Sequence, residues 1–133
     1  MTPGLDAELC AKYPDIMAER RLGAMQTAMC WGFEHGDGWY HILNTAMKLV
    51  QSHVDITRRR GIEIDQVVFE QVKEKFGMLT IYQRGGDEYT NGVLRMAEEM
   101  SRHICEQCGD VGYPNDRGWI RTLCDKHHAE HGA

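Results

Sequence analysis

Val67-Val68-Phe69-Glu70-Gln71-Val72-Lys73-Glu74-Lys75-Phe76-Gly77-Met78-Leu79-Thr80-Ile81-Tyr82 can be read in two ways, and the choice sets the fold class. As strands, Val67–Val72 and Met78–Tyr82 form a hairpin, with Lys73–Gly77 as the turn. As a helix, Val68, Val72 and Phe76 share one face, and residues 66–76 would precede a single strand. β-Branched enrichment favours strands, because Val and Ile pack well on a pleated surface and lose rotamer freedom in a helix. An α+β fold follows.

Helices flank this hairpin. From Trp39 to about Arg58 the apolar positions are Trp39, Ile42, Leu43, Ala46, Leu49, Val50 and Val54, at three- and four-residue steps. Asp37 is the expected N-cap. Arg58-Arg59-Arg60 complements the negative end of the helix dipole, and Gly61 ends the helix. After Gly85-Gly86, Asp87 is expected to cap a second helix with the stripe Tyr89, Val93, Met96, Ala97, Met100 and Ile104. Residues 4–22 read as short helical pieces interrupted at Pro14, and residues 24–38 as a tight, partly buried loop. The expected architecture is two main helices on a small antiparallel sheet, residues 1–104, with residues 105–133 as a metal-binding ribbon packed on it.

The last segment specifies chemistry. Cys105-Glu-Gln-Cys108 is followed, after fifteen residues, by Cys124-Asp-Lys-His127. Each pair brings two ligands to one side of an ion, and two pairs complete a tetrahedron. Four N/S ligands without an open position suit a structural Zn²⁺. Cys105, Cys108, Cys124 and His127 are therefore the candidate ligands. His128 offers an alternative fourth ligand, and His131 lies one helical turn beyond His127. Cys10 and Cys30 remain outside the array; they could form a disulfide, but nothing in the sequence demands it, and two buried thiols in a reducing compartment are expected.

Formal charge is −5 and uneven. Residues 1–60 balance at seven acidic and seven basic, residues 61–104 carry eight against five, and residues 105–133 five against three. An acidic chain is a poor match for a phosphate backbone, so nucleic acid is not the favoured partner. No stretch approaches eighteen apolar residues, so no membrane span is expected. The opening Met-Thr-Pro-Gly-Leu-Asp lacks the basic and apolar regions of a secretory leader, and a cytoplasmic location in a bacterial host is expected.

Other constellations carry less. Glu34-His35-Gly-Asp37-Gly with His41 contains acid/base types, but helix capping and turn formation account for them. Candidate partner-binding residues are Trp31 and Trp39, as anchors, and Arg58, Arg59 and Arg60. Leu123-Cys-Asp-Lys-His-His128 resembles the last knuckle of HNH nucleases. Catalysis there needs a histidine in the central loop, and residues 109–123 contain none.

Three pieces together, Cys30-Trp-Gly-Phe-Glu-His-Gly-Asp-Gly-Trp-Tyr40, Val72-Lys-Glu-Lys-Phe-Gly-Met-Leu79 and Cys105-x2-Cys-Gly…Gly-Trp119-Ile-Arg-Thr-Leu-Cys-Asp-x-His127, resemble a group of small phage and prophage proteins across residues 13–128. Members of that group commonly carry cysteine in place of His35 and glycine in place of Met78. The histidine here implies that position 35 is not an obligatory ligand. The resemblance implies a non-enzymatic accessory protein that binds and inhibits a host protein, such as an anti-CRISPR or other anti-defence inhibitor. A nucleic-acid-binding zinc-ribbon regulator is the alternative, and an enzyme built on residues 34–41 the third.

Overall fold

The computed structural model describes residues 1–131. The stretch 68–84 is a hairpin. Val68–Lys75 (β2) pairs antiparallel with Met78–Arg84 (β3), with one register shift between Phe69 and Gln71. The expected five-residue turn is shorter in the structure: Lys75 faces Met78, and only Phe76 and Gly77 turn the chain. Both have positive φ, 53° and 79°. This is the mirror-image backbone twist that joins strands without splaying them. Gly77 adopts it freely, whereas Phe76 holds a conformation unusual for a bulky residue.

The sheet is mixed, where an antiparallel one was expected. Phe33–Glu34 (β1) joins β2 in parallel on the edge opposite β3, giving the order β1-β2-β3. The free edge of β3 is covered by Glu88–Ser101 (α3). Leu79 N–H donates to Ser101 Oγ at 2.9 Å, and Ile81 N–H donates to Glu98 Oε2 at 2.8 Å. Side chains of α3 thus satisfy backbone donors that would otherwise invite another strand.

Tyr40–Arg59 (α2) turns most of the expected stripe inward: Leu43, Ala46, Val50 and Val54 are buried, Met47 joins them, Ile42 is half-buried and Leu49 is exposed. Asp37 does not cap it. A 3-10 turn at Asp37–Trp39 leads into the helix, and Asp37 Oδ1 instead accepts from Thr2 N–H at 2.7 Å. For α3, Asp87 is the cap as expected, in a reciprocal capping box with Thr90. Its buried face differs, however. Thr90, Leu94, Ala97 and Ser101 point inward, and Tyr89, Met96 and Met100 are exposed. Thr90 and Ser101 tolerate burial because their hydroxyls are committed to the capping box and to Leu79.

At the other end, Pro3–Lys12 (α1) is helical, but residues 14–22 form successive turns in place of the expected second helix. Ile16 C=O accepts from Phe69 N–H at 2.9 Å and is lost to a helical ladder. A single apolar cluster runs from Leu9 and Ile16 through Trp39, Leu43 and Met47 to Phe69, Leu79 and Ala97. After α3 come two short strands, Tyr113–Pro114 (β4) and Thr122–Leu123 (β5), paired antiparallel, and then Asp125–His131 (α4). Among the described residues no helix is long and apolar enough to cross a membrane.

Candidate metal centre

The final segment folds around its cysteines. Cys105 N–H donates to Asp110 C=O at 2.7 Å, and Gly109 N–H returns to Cys105 C=O at 2.9 Å, closing the first knuckle. Glu106 N–H donates to Thr122 C=O at 3.0 Å, which ties that knuckle to β5. Strand β5 delivers Cys124, and the first turn of α4 brings His127 back over it.

Ligand atoms of Cys105, Cys108, Cys124 and His127 all lie within 4.8 Å of one another. His127 Nδ1 is 3.4 Å from Cys105 Sγ and 3.2 Å from Cys124 Sγ, and the sulfurs of Cys108 and Cys124 are 3.8 Å apart. A tetrahedral ion held at about 2.3 Å by sulfur and about 2.0–2.1 Å by nitrogen has S–S edges of about 3.8 Å and S–N edges of about 3.6 Å. These three edges come near those values, and the four ligand atoms are close enough together to hold one ion. All five cysteines are free thiols, so no disulfide competes for the array. Cys105, Cys124 and His127 are buried and Cys108 is exposed.

Electrostatics of the cluster favour thiolate at its centre. Burial works against the Cys105 thiolate, but N–H groups of Cys124, Cys108 and Gln107 and the His127 ring outweigh it and bring its pKa down to about 6. For Cys108 the Asp110 N–H favours the thiolate. Burial and the neighbouring Cys105 and Cys124 sulfurs overcome that donor and push its pKa up to about 11. Like-charged sulfurs cannot all ionise together without a cation, and a bound ion supplies that charge. Behind the site, His127 Nε2 lies 3.9 Å from Glu130 Oε2, longer than a hydrogen bond.

The structure separates the candidate histidines. His128 Nε2–H donates to Tyr113 C=O at 2.7 Å and its ring lies 4.5 Å from that of Tyr113, so it braces the ribbon. His131 reaches Gln107 Oε1 at 3.0 Å, and His103 is exposed.

No family model, curated protein or solved structure matches this chain. What it does must be sought in its own geometry.

That geometry assigns residues 33–39 a part the sequence did not disclose. Gly38 N–H donates to Glu106 C=O at 2.7 Å, and Gly36 N–H donates to Glu106 Oε2 at 2.9 Å. The approach is so close that a Cβ on Gly38 would overlap the Cys105 carbonyl oxygen. Trp39, expected as a partner anchor, is 0% exposed, and its indole N–H donates to Ile104 C=O at 2.9 Å. Opposite, Thr122 Oγ1 donates to Gly77 C=O at 2.6 Å. The ribbon is thus clipped between the glycine loop and the hairpin tip.

His35, in the turn before α2, is buried between the rings of Phe33 and Trp39, at 5.9 and 5.5 Å. Its Nε2, like Glu106 Oε1, is buried without a hydrogen-bond partner among the described residues. Burial depresses the His35 pKa to about 4, so its ring is neutral at pH 7. His41 is exposed, and no acid/base constellation forms with Glu34, which is also exposed. Of the other candidate partner-binding residues, Trp31 is exposed, as are Arg58, Arg59 and Arg60. The Arg58 guanidinium donates to Ile64 C=O at 3.2 Å, closing the end of α2.

Proposed function

We propose that the Cys3His centre holds a structural Zn²⁺, and that the protein is a non-enzymatic accessory protein of the phage or prophage type that binds and inhibits a host protein. Three thiolates and one imidazole fill a tetrahedron and leave no position for a reacting water, which favours a structural ion over a catalytic one. The resemblance to small phage and prophage proteins supports the class of target: a host protein, with defence effectors such as CRISPR nucleases foremost.

One observation carries the binding role. Residues 22–31 present Leu22, Met25 and Trp31 to solvent, Met25 at 99% and Trp31 at 66% exposure. The lobe is held in place from below. Met29 is fully buried, and Thr27 Oγ1 caps the 3-10 turn Ala28–Trp31 by accepting from Met29 N–H at 3.1 Å. Arg20 clamps its base, donating to Cys30 C=O at 2.9 Å and to Asp6 Oδ1 at 3.1 Å. A cleft of about 770 Å³ runs beside it, lined by Ala7, Cys10, Met17, Arg21 and Trp31. Aromatic and methionine side chains on a fixed support suit a hot spot that fills a partner's pocket. The net charge of −5 fits a target whose functional face is basic.

The test is affinity capture from nuclease-treated host lysate with three baits: the native chain, Trp31→Ala, and Met25→Ser with Trp31→Ala. The expected result is one or a few host proteins retained by the native bait and lost stepwise from the variants, with the folded signal unchanged. Capture of the same proteins by all three baits contradicts the proposed surface.

A further inference from the structure

We propose that the outer face of the ribbon is a site for a nucleotide unit, a base with its phosphate, separate from the lobe at residues 22–31. The cleft there has a volume of about 720 Å³ and is lined by Tyr113, Asn115, Arg117, Trp119, Arg121 and His128 among others. Three features of it point to this ligand.

The first is a planar surface with nothing packed on it. Trp119 is 80% exposed, although apolar burial is scarce throughout the ribbon. A loop that needed its indole for stability would have turned it inward. Tyr113 and His128 also line the cleft and form a tilted ring pair at 4.5 Å.

The second is unspent positive charge. The arginine ion pairs of the described residues are made by Arg20, Arg84 and Arg95; neither Arg117 nor Arg121 joins one, although Arg121 is near enough to Glu106 to favour its charged form. Of the segment's five acidic residues, four do not line the cleft. Glu106 is buried against Gly36, Glu130 stands behind His127, and Asp125 accepts from Tyr113 Oη at 2.7 Å. Asp116 is the carboxylate that lines the cleft. Two guanidiniums beside an exposed indole match a phosphate next to a base, since arginine recognises phosphate through its planar fork and every base has a face to stack.

The third is preorganisation. The Asn115 side chain alone makes three hydrogen bonds. Its Nδ2 donates to Arg117 C=O at 2.6 Å and to Trp119 C=O at 2.9 Å, and its Oδ1 accepts from Arg121 N–H at 2.6 Å. Each of the three side chains that face the ligand is therefore tied at its own backbone to one buttress. Pre-ordering of this kind lowers the entropy cost of binding.

The experiment is a fluorescence titration of the zinc-loaded Trp31→Phe variant, in which Trp119 is the remaining exposed indole. The probes are a ten-residue oligothymidylate and, separately, thymidine monophosphate and inorganic phosphate. Quenching by the oligonucleotide is expected, with log K against log salt sloping by about −1.4 for two phosphate contacts. Trp119→Ala, read by calorimetry, is expected to weaken binding about tenfold. Arg117→Ala with Arg121→Ala is expected to flatten the salt slope. Asn115→Ala is expected to weaken binding while zinc content stays at one per chain. A monophosphate that binds as well as the oligomer identifies a free nucleotide as the ligand; a much weaker one identifies a single strand. Absence of quenching by any probe at low salt overturns the proposal. So does oligonucleotide binding that ignores both the arginine and the Trp119 substitutions.

Discussion

The two halves of this chain are stabilised by different means. Residues up to about 104 enclose a continuous apolar cluster, built from α2, the hairpin and the segments around Leu9 and Ile16. Beyond Ile104 the buried apolar set shrinks to Leu123 and two cysteine side chains. Apolar burial at roughly 25 cal/mol per Å² can hold the first region. It cannot hold the second, where ordering some twenty-five residues costs on the order of 1–2 kcal/mol each in backbone entropy alone. The difference implies that the ribbon's order comes from its ion and from its docking onto the core, whereas the apolar cluster can hold the core when the ion is removed.

Metal removal sharpens this contrast most. Structural zinc sites contribute about 10–16 kcal/mol of apparent binding free energy, and here that energy is local. Elemental analysis should give one zinc per chain. Cys108→Ser should release it and abolish the ribbon's ordered signals while near-UV bands from buried Trp39 persist.

Next in size is a deletion in the core. Leu43 is fully buried on α2, and Leu43→Ala should cost about 2–5 kcal/mol in global unfolding by denaturant. Zinc affinity measured in native buffer should change by less than twofold. A large drop in zinc affinity would show that the two regions fold as one unit.

The acid limb comes third. His35 is neutral when folded, with a pKa near 4 against an ordinary value of 6.5. Between those values the unfolded chain binds more protons than the folded one. Its contribution is therefore complete above pH 6.5 and is lost as pH falls toward 4, by about 3 kcal/mol in all. Thiolate protonation releases metal in the same range, so zinc content is followed alongside. Down to the pH at which zinc is released, His35→Gln should flatten the dependence of stability on pH.

Smallest is the clip at the hairpin tip. Thr122→Val removes the hydrogen bond to Gly77 C=O and leaves that buried acceptor unpaired, for a loss of about 1–3 kcal/mol in the ribbon. Faster hydrogen exchange at Glu106 and Cys124, with α2 unchanged, would report it.

The ease of reading each region from sequence follows the same division. Ligand spacing is local, so Cys105, Cys108, Cys124 and His127 could be placed without a fold. The stripe of α2 is equally local, because strongly apolar residues recur at helical steps. The inward face of α3 misled because Thr90 and Ser101 are polar and become buried only through partners elsewhere in the chain. The burial of His35, and the use of Trp39 as a tie to Ile104 in place of a partner anchor, are hidden for a related reason. Both depend on the meeting of residues 33–39 with residues 104–106, some seventy positions apart, and no periodicity records such a meeting. Strand β1 is two residues long and pairs with Val72 and Lys73, far along the chain, so the parallel edge was equally hidden.

The central claim is that the ion holds the ribbon and the apolar cluster holds the rest. Amide hydrogen exchange by mass spectrometry, with and without a chelator, tests it most directly. Chelation should erase protection across residues 105–131 and leave residues 43–54 and 68–84 within threefold of their zinc-loaded rates. Protection that survives chelation in the ribbon, or disappears equally from α2 and the hairpin, would contradict it.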